Sequence, residues 1–224
     1  MNIRCFVFSI RVWVRTLRRP FYVPQEGRST LSLLLTAGPA SFVSELDKLA
    51  MLGSRWSSNV LAYMDISHGL GGKIDTRRAR ALTTPLATAG DAYAQYILAW
   101  TQLIDGDRQG ALENMKRAGV QLFPPAALDL ALYVWLGVGL DRPDPPAAVR
   151  LLSHASALGH ANTLQTRCVF YRSGKFGIGY ELLGYFLTPF AWMRYAFAAL
   201  GDPFCAEVLE FSPDGRGSVF RSDK

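Results

Sequence analysis

Apolar positions along this chain recur at helical spacing, and one such stretch is written repeatedly. The segments beginning at Phe42, Ala79, Ala111, Ala148 and Phe190 read FVSELDKLAMLG, ARALTTPLATAG, ALENMKRAGVQL, AVRLLSHASALG and FAWMRYAFAALG. The eighth letter is apolar (Leu49, Leu86, Ala118, Ala155, Phe197) and the ninth small (Ala50, Ala87, Gly119, Ser156, Ala198). The last letter is glycine at Gly53, Gly90, Gly159 and Gly201, and Leu122 in the remaining copy. Successive starts lie 37, 32, 37 and 42 residues apart. A self-similar unit of that length predicts an all-α fold, an α-solenoid of antiparallel helix pairs in which each pair buries its apolar face against the next. The small ninth residue is expected to let a neighbouring helix approach the backbone.

The partner helices are expected near Arg55–Ser67, Ala92–Leu103, Pro125–Gly137 and Asn162–Ser173, separated from the repeated helices by turns rich in glycine and proline. Asp75, Asp107 and Asp144 stand where a helix start needs a cap or a first-turn acid, and Ser41 where the first copy needs one. This divides the chain into 1–28, a basic amphipathic segment and linker; 29–211, a repeat domain; and 212–224, a polar tail. Within the repeat domain the copies run 54–90, 91–122, 123–159 and 160–201, after a partial copy 29–53. Pro85 is expected to kink its helix or mark its first turn. The apolar run 176–200 is expected to split at Pro189 into a connector helix, Phe176–Leu187, and a repeated helix, Pro189–Leu200. The two would form an apolar end of the array, covered by residues 203–211 or by a partner.

The copy GDAYAQYILAWTQLIDGDRQGALENMKRAGVQ, Gly90 to Gln121, carries a small residue and a leucine in its first helix, a glycine-bearing loop, an acid, then an alanine-rich second helix. In this it resembles the Sel-one-like repeat, a relative of the tetratricopeptide repeat, and the resemblance extends over about residues 40–211. Phe176–Leu200, nearly all apolar, departs most from the pattern. The resemblance implies a non-enzymatic scaffold or adaptor that binds other proteins, in bacteria often in envelope or signalling roles. It implies no catalytic residues.

Charge refines this picture. The formal charge is +6 over 224 residues. Six arginines against Glu26 alone give residues 1–28 a charge of +5, so the remaining chain carries +1. A nearly neutral body is a poor footprint for a phosphate backbone, and no nucleic-acid partner is expected. In 1–19, Ile3, Phe6, Val7, Ile10, Val14 and Leu17 share one helical face, with Arg4, Arg11, Arg15 and Arg18 opposite. That suits an anionic membrane surface, although alternation from Phe8 to Val14 also fits a strand. The alternative function is therefore a peripheral membrane accessory protein of a bacterial envelope or polysaccharide system, recruited by the basic start and the 176–200 segment. The corresponding location is cytoplasmic or peripheral on an inner membrane, with secretion left open.

No catalytic, metal or cofactor constellation is expected. Asp105, Asp107 and Gln109 imitate the start of a calcium loop, but Lys116 occupies the place of the bidentate glutamate. Gly72-Lys73 and Gly177-Ile178-Gly179 lack the further residues of a phosphate loop or dinucleotide turn. Cys5, Cys168 and Cys205 lack metal or disulfide spacing and read as buried small hydrophobes. The candidate partner-binding residues are Tyr63, Tyr93, Tyr96, Trp100, Tyr133 and Trp135, aromatics on the first helices, which in solenoids commonly line the binding face. Glu181 and Tyr185 are candidates for a membrane or partner contact.

Overall fold

A computed structural model describes residues 39–67, 74–121, 123–157 and 163–201. Residues 1–38 with Arg4, Arg11, Arg15 and Arg18, residues 68–73, Leu122, residues 158–162 and the chain from 202 onward lie outside the described residues. All regular structure among the described residues is helical. In chain order the helices are α1 Pro39–Met51, α2 Arg55–Ser67, α3 Thr76–Thr88, α4 Ala92–Ile104, α5 Arg108–Val120, α6 Pro124–Leu136, α7 Pro145–Ala157, α8 Thr163–Arg172 and α9 Ile178–Gly201. The chain divides into two compact units, whose described parts are α1–α5 and α6–α9. The division falls between Gln121 and Leu122.

In the first unit each helix packs on the next, α1 on α2 through to α4 on α5, and α2 also meets α4. The repeated segments start three residues inside α1, α3, α5 and α7. Their first letters, Phe42, Ala79, Ala111 and Ala148, and their fifth, Leu46, Thr83, Met115 and Leu152, are all buried. A four-residue step keeps both on one helix face, so this pair forms the buried seam of each copy. The ninth position, expected to carry the close approach, is less consistent: Ala87 and Gly119 are buried, whereas Ala50 is partly exposed.

The predicted acids cap as expected. The carboxylates of Asp75, Asp107 and Asp144 accept from the backbone N–H of Arg78, Gly110 and Ala147, each at 2.9 Å. Asp91 does the same for α4, accepting from Ala94 N–H at 2.8 Å. Ser41 does not cap, because α1 already begins at Pro39. Two of the closing glycines, Gly53 and Gly90, end helices by left-handed turns, whereas Gly201 is still helical and Gly159 lies outside the described residues. Gly53 has φ +89°, its N–H donates to the Ala50 carbonyl and Ser54 N–H to the Leu49 carbonyl; Gly90 has φ +91° and repeats the arrangement with Ala87 and Leu86. Both are Schellman ends, which only a residue tolerant of positive φ accepts readily.

In the second unit α6 packs on α7, α7 on α8 and α8 on α9, with a core of Leu128, Ala131, Val134, Ala148, Leu152, Ala155 and Phe170. Here the structure corrects the expected split at Pro189: α9 runs unbroken for 24 residues with that proline inside it. A proline removes one backbone donor and crowds the preceding turn, but both effects fall where Pro189 is exposed. The Thr188 hydroxyl donates to the Gly184 carbonyl at 2.8 Å within the same turn. Pro85 behaves alike: it lies inside α3, near its end rather than in its first turn.

The register of the last copy is corrected too. Gly184 follows Ala148 by 36 residues, and a Cβ on it would come within 2.9 Å of the Cys168 carbonyl and 3.0 Å of the Tyr171 Cβ on α8. Thr188 repeats the back-bond that Thr83 makes to Ala79, also at 2.8 Å. Ala191 is buried at the place held by Ala118 and Ala155. The seam of the last copy therefore starts at Gly184, and Phe190, the expected start, is exposed.

Candidate interaction surface

Of the six candidate anchor aromatics, Tyr96, Trp100 and Tyr133 are buried in their units. They hold helices together and cannot be first contacts for a partner. Burial, with Asp129 one turn away, pushes the Tyr133 phenol well up, so it remains protonated. Tyr63 and Tyr93 are half-buried on α2 and α4, with the Tyr93 ring 6.4 Å from that of Tyr96. Trp135 stacks on Phe170 at 3.9 Å, 11° from parallel, and Lys175 Nζ lies 4.4 Å from its ring centroid. Phe176 lies 5.9 Å from Trp135, and Tyr180 lies 5.2 Å from Tyr171. Trp135 thus belongs to an aromatic cluster that pins the α8–α9 turn to α6. Three of the six thus face the cores of their own units, because helical spacing turns part of an aromatic series inward.

The first unit contains one unusual electrostatic feature. Arg78 on α3 reaches Asp47 on α1, NH2 to Oδ1 at 3.1 Å, and Asp65 on α2, Nε to Oδ2 at 3.6 Å. Asp65 is almost wholly buried, and its pKa is raised from 3.8 to about 6. Desolvation raises it most, Arg78 opposes, and the charges of Asp75 and Asp47 add to the rise. One guanidinium thus ties three helices, a structural role. Asp105, half of the rejected calcium pattern, pairs with Arg80, while Asp107 caps α5 and accepts from Gln102. Burial pushes the Cys168 thiol up, so it is a buried small hydrophobe rather than a nucleophile.

The accessible apolar surface is concentrated on α9. Its inner face presents Gly184 and Ala191 to α8. Its outer face presents Ile178, Leu182, Tyr185, Phe186, Phe190, Trp192 and Met193, each between 47% and 75% exposed. Stepped around the helix at 3.6 residues per turn, these side chains with Pro189 and Ala196 fill an arc of roughly 160°. No charged side chain stands in that arc, since the only charges between Ile178 and Gly201 are Glu181 and the buried Arg194. Tyr185 lies in the arc, with the Arg172 guanidinium 5.5 Å from its ring centroid. Glu181 lies beside it, half-buried in the first helical turn, where a carboxylate complements the helix dipole. The expected split at Pro189 concealed this face. The i, i+4, i+8 series 178, 182, 186, 190 runs straight through the proline and was the available signal.

No family pattern matches the sequence, and no curated protein matches it. Among solved structures, the chain is similar to a Sel1 repeat protein from Oxalobacter formigenes, with a TM-score of 0.53 and 19% identity. The match covers 77% of this chain and 71% of that one. The fold is a Sel1-like helical repeat. The structure thus agrees with what the resemblance in the copies implied: an α-solenoid class of fold built from antiparallel helix pairs. No described helix is long and apolar enough to cross a membrane, α9 included.

Proposed function

We propose that this chain is a non-enzymatic interaction module, in which a Sel1-like repeat body presents the outer face of α9 to a protein partner. The observation that carries this reading is the uncharged, aromatic-rich face itself. A contiguous exposed apolar patch is the usual mark of a contact site. Phe186, Phe190 and Trp192 are of the residue types that anchor interfaces. A photo-crosslinking amino acid at position 190, irradiated in cells that express the chain, is expected to give a discrete protein adduct. Lipid adducts alone, or none, would reject the reading.

A peripheral membrane role is the second reading. It is favoured by Tyr180, Tyr185 and Trp192, whose amphipathic rings suit the headgroup region, and by the basic start with Arg4, Arg11, Arg15 and Arg18. Against it, the α9 face has no lysine or arginine in its arc, whereas interfacial helices carry them along their polar flank. The location of the protein follows from whichever partner is found.

A further inference from the structure

We infer that the occupant of the α9 face is a second copy of this chain, paired helix to helix about a two-fold axis. The inference rests on the reading that this face binds protein, and names the protein. Three observations support it. First, the face approaches the size a dimer needs. Aromatic side chains bury about 150–250 Å² when covered, so the four half-exposed aromatics alone offer on the order of 400 Å², to which the more exposed Ile178 and Leu182 and the half-exposed Met193 add. A standard interface takes about 800 Å² from each partner.

Second, α9 contributes no charged side chain to the arc; the nearest charges, Arg172 on the Tyr185 ring and Glu181 in the first turn, lie away from Phe186–Pro189 along or around the helix. A two-fold interface sets one patch against its own copy, so a charge near the axis would meet its like. Third, the face runs along α9 from Ile178 to at least Ala196, long enough for antiparallel pairing with the axis placed at Phe186–Pro189. In antiparallel pairing, Ile178 and Leu182 of one protomer lie over Trp192, Met193 and Ala196 of the other, and Phe186 lies close to its own copy at the axis. Gly184 is already packed against α8 and Ala191 is buried, both off the outer arc, so pairing does not disturb the unit.

The test is sedimentation velocity on the full chain from 1 to about 100 μM, with F186E, F186K and W192E. A concentration-dependent dimer is expected for the natural chain. F186E and W192E should each weaken self-association at least tenfold while far-UV circular dichroism and thermal melting stay unchanged. An equal mixture of F186E and F186K should recover dimer that neither forms alone, which only proximity of position 186 to its own copy produces. A natural chain that is monomeric throughout overturns the inference, as does a dimer unaffected by F186E and W192E, or a mixture that stays monomeric. A chain that dimerises only after residues 202–224 are removed also overturns it, by showing that its own tail covers the face. If the chain is monomeric yet position 190 crosslinks a different protein, only the second-copy inference falls. If it is monomeric and liposomes of neutral lipid capture it without a protein adduct, the protein-binding reading falls with it.

Discussion

Gly184 concentrates the logic of the last copy in a single atom's absence. A methyl there would press on the Cys168 carbonyl and on the Tyr171 and Arg172 side chains of α8. Helix propensity alone favours Gly→Ala by about 1 kcal/mol, so the sign of the effect decides between propensity and packing. Gly184→Ala is expected to destabilise the fold by about 1–3 kcal/mol, as overpacking does; a higher urea midpoint would mean that α8 and α9 are less tightly apposed. Asp65 gives a second test. Its pKa is higher folded than unfolded, so the folded protein binds the proton more tightly. That stabilisation is complete below about pH 4, is lost as pH rises to about 6, and is absent above. Asp65→Asn is therefore expected to flatten the fall in melting temperature across pH 4–6, while Asp47 still holds Arg78. A slope equal to that of the natural chain would assign the titration elsewhere.

At the scale of elements, short helices here are stopped and started by side chains rather than by propensity. Asp107 caps α5 and also accepts from Gln102, so Asp107→Ala is expected to cost about 1 kcal/mol in chemical denaturation. The reverse applies to the two internal prolines. Pro85 and Pro189 each deprive a continuous helix of one hydrogen bond at an exposed position. Pro189→Ala is expected to raise stability by about 1–3 kcal/mol, within the roughly 3 kcal/mol cost of an interior proline. Loss of helicity on that substitution would show that α9 depends on the proline to hold two separate segments.

At the scale of the whole molecule, composition and charge separate the body from the basic start. With +5 of the +6 charge in residues 1–28, attraction to anionic surfaces should reside there. Flotation with anionic liposomes is expected to depend on residues 1–19 and to weaken with salt, each surface-near arginine contributing about 1 kcal/mol. Equal flotation of the full chain and of a chain lacking residues 1–19 would reject that role for Arg4, Arg11, Arg15 and Arg18. Retention on DNA by a chain without residues 1–28 would overturn the expectation that nucleic acid is not a partner.

The fold class was legible in the sequence because it depends on features that act locally and recur. The repeated Ala or Phe of Phe42, Ala79, Ala111 and Ala148, the acids Asp75, Asp107 and Asp144, and the closing glycines Gly53 and Gly90 each determine a helix start, a seam or a helix end within a few residues of themselves. Helical period, capping and positive φ do not require knowledge of what lies across the core. The surface was not legible in that way. Whether Tyr96 or Tyr93 faces water depends on which side of α4 meets α3 and α5. The start of the last copy at Gly184 depended on the Cys168 carbonyl standing opposite it on α8. The continuity of α9 through Pro189 was decided by the docking of its inner face on α8, which outweighs one missing hydrogen bond on the exposed side. Local chemistry determined that this chain would form paired helices; only the packing of α9 against α8 decided which of its apolar residues were left facing outward.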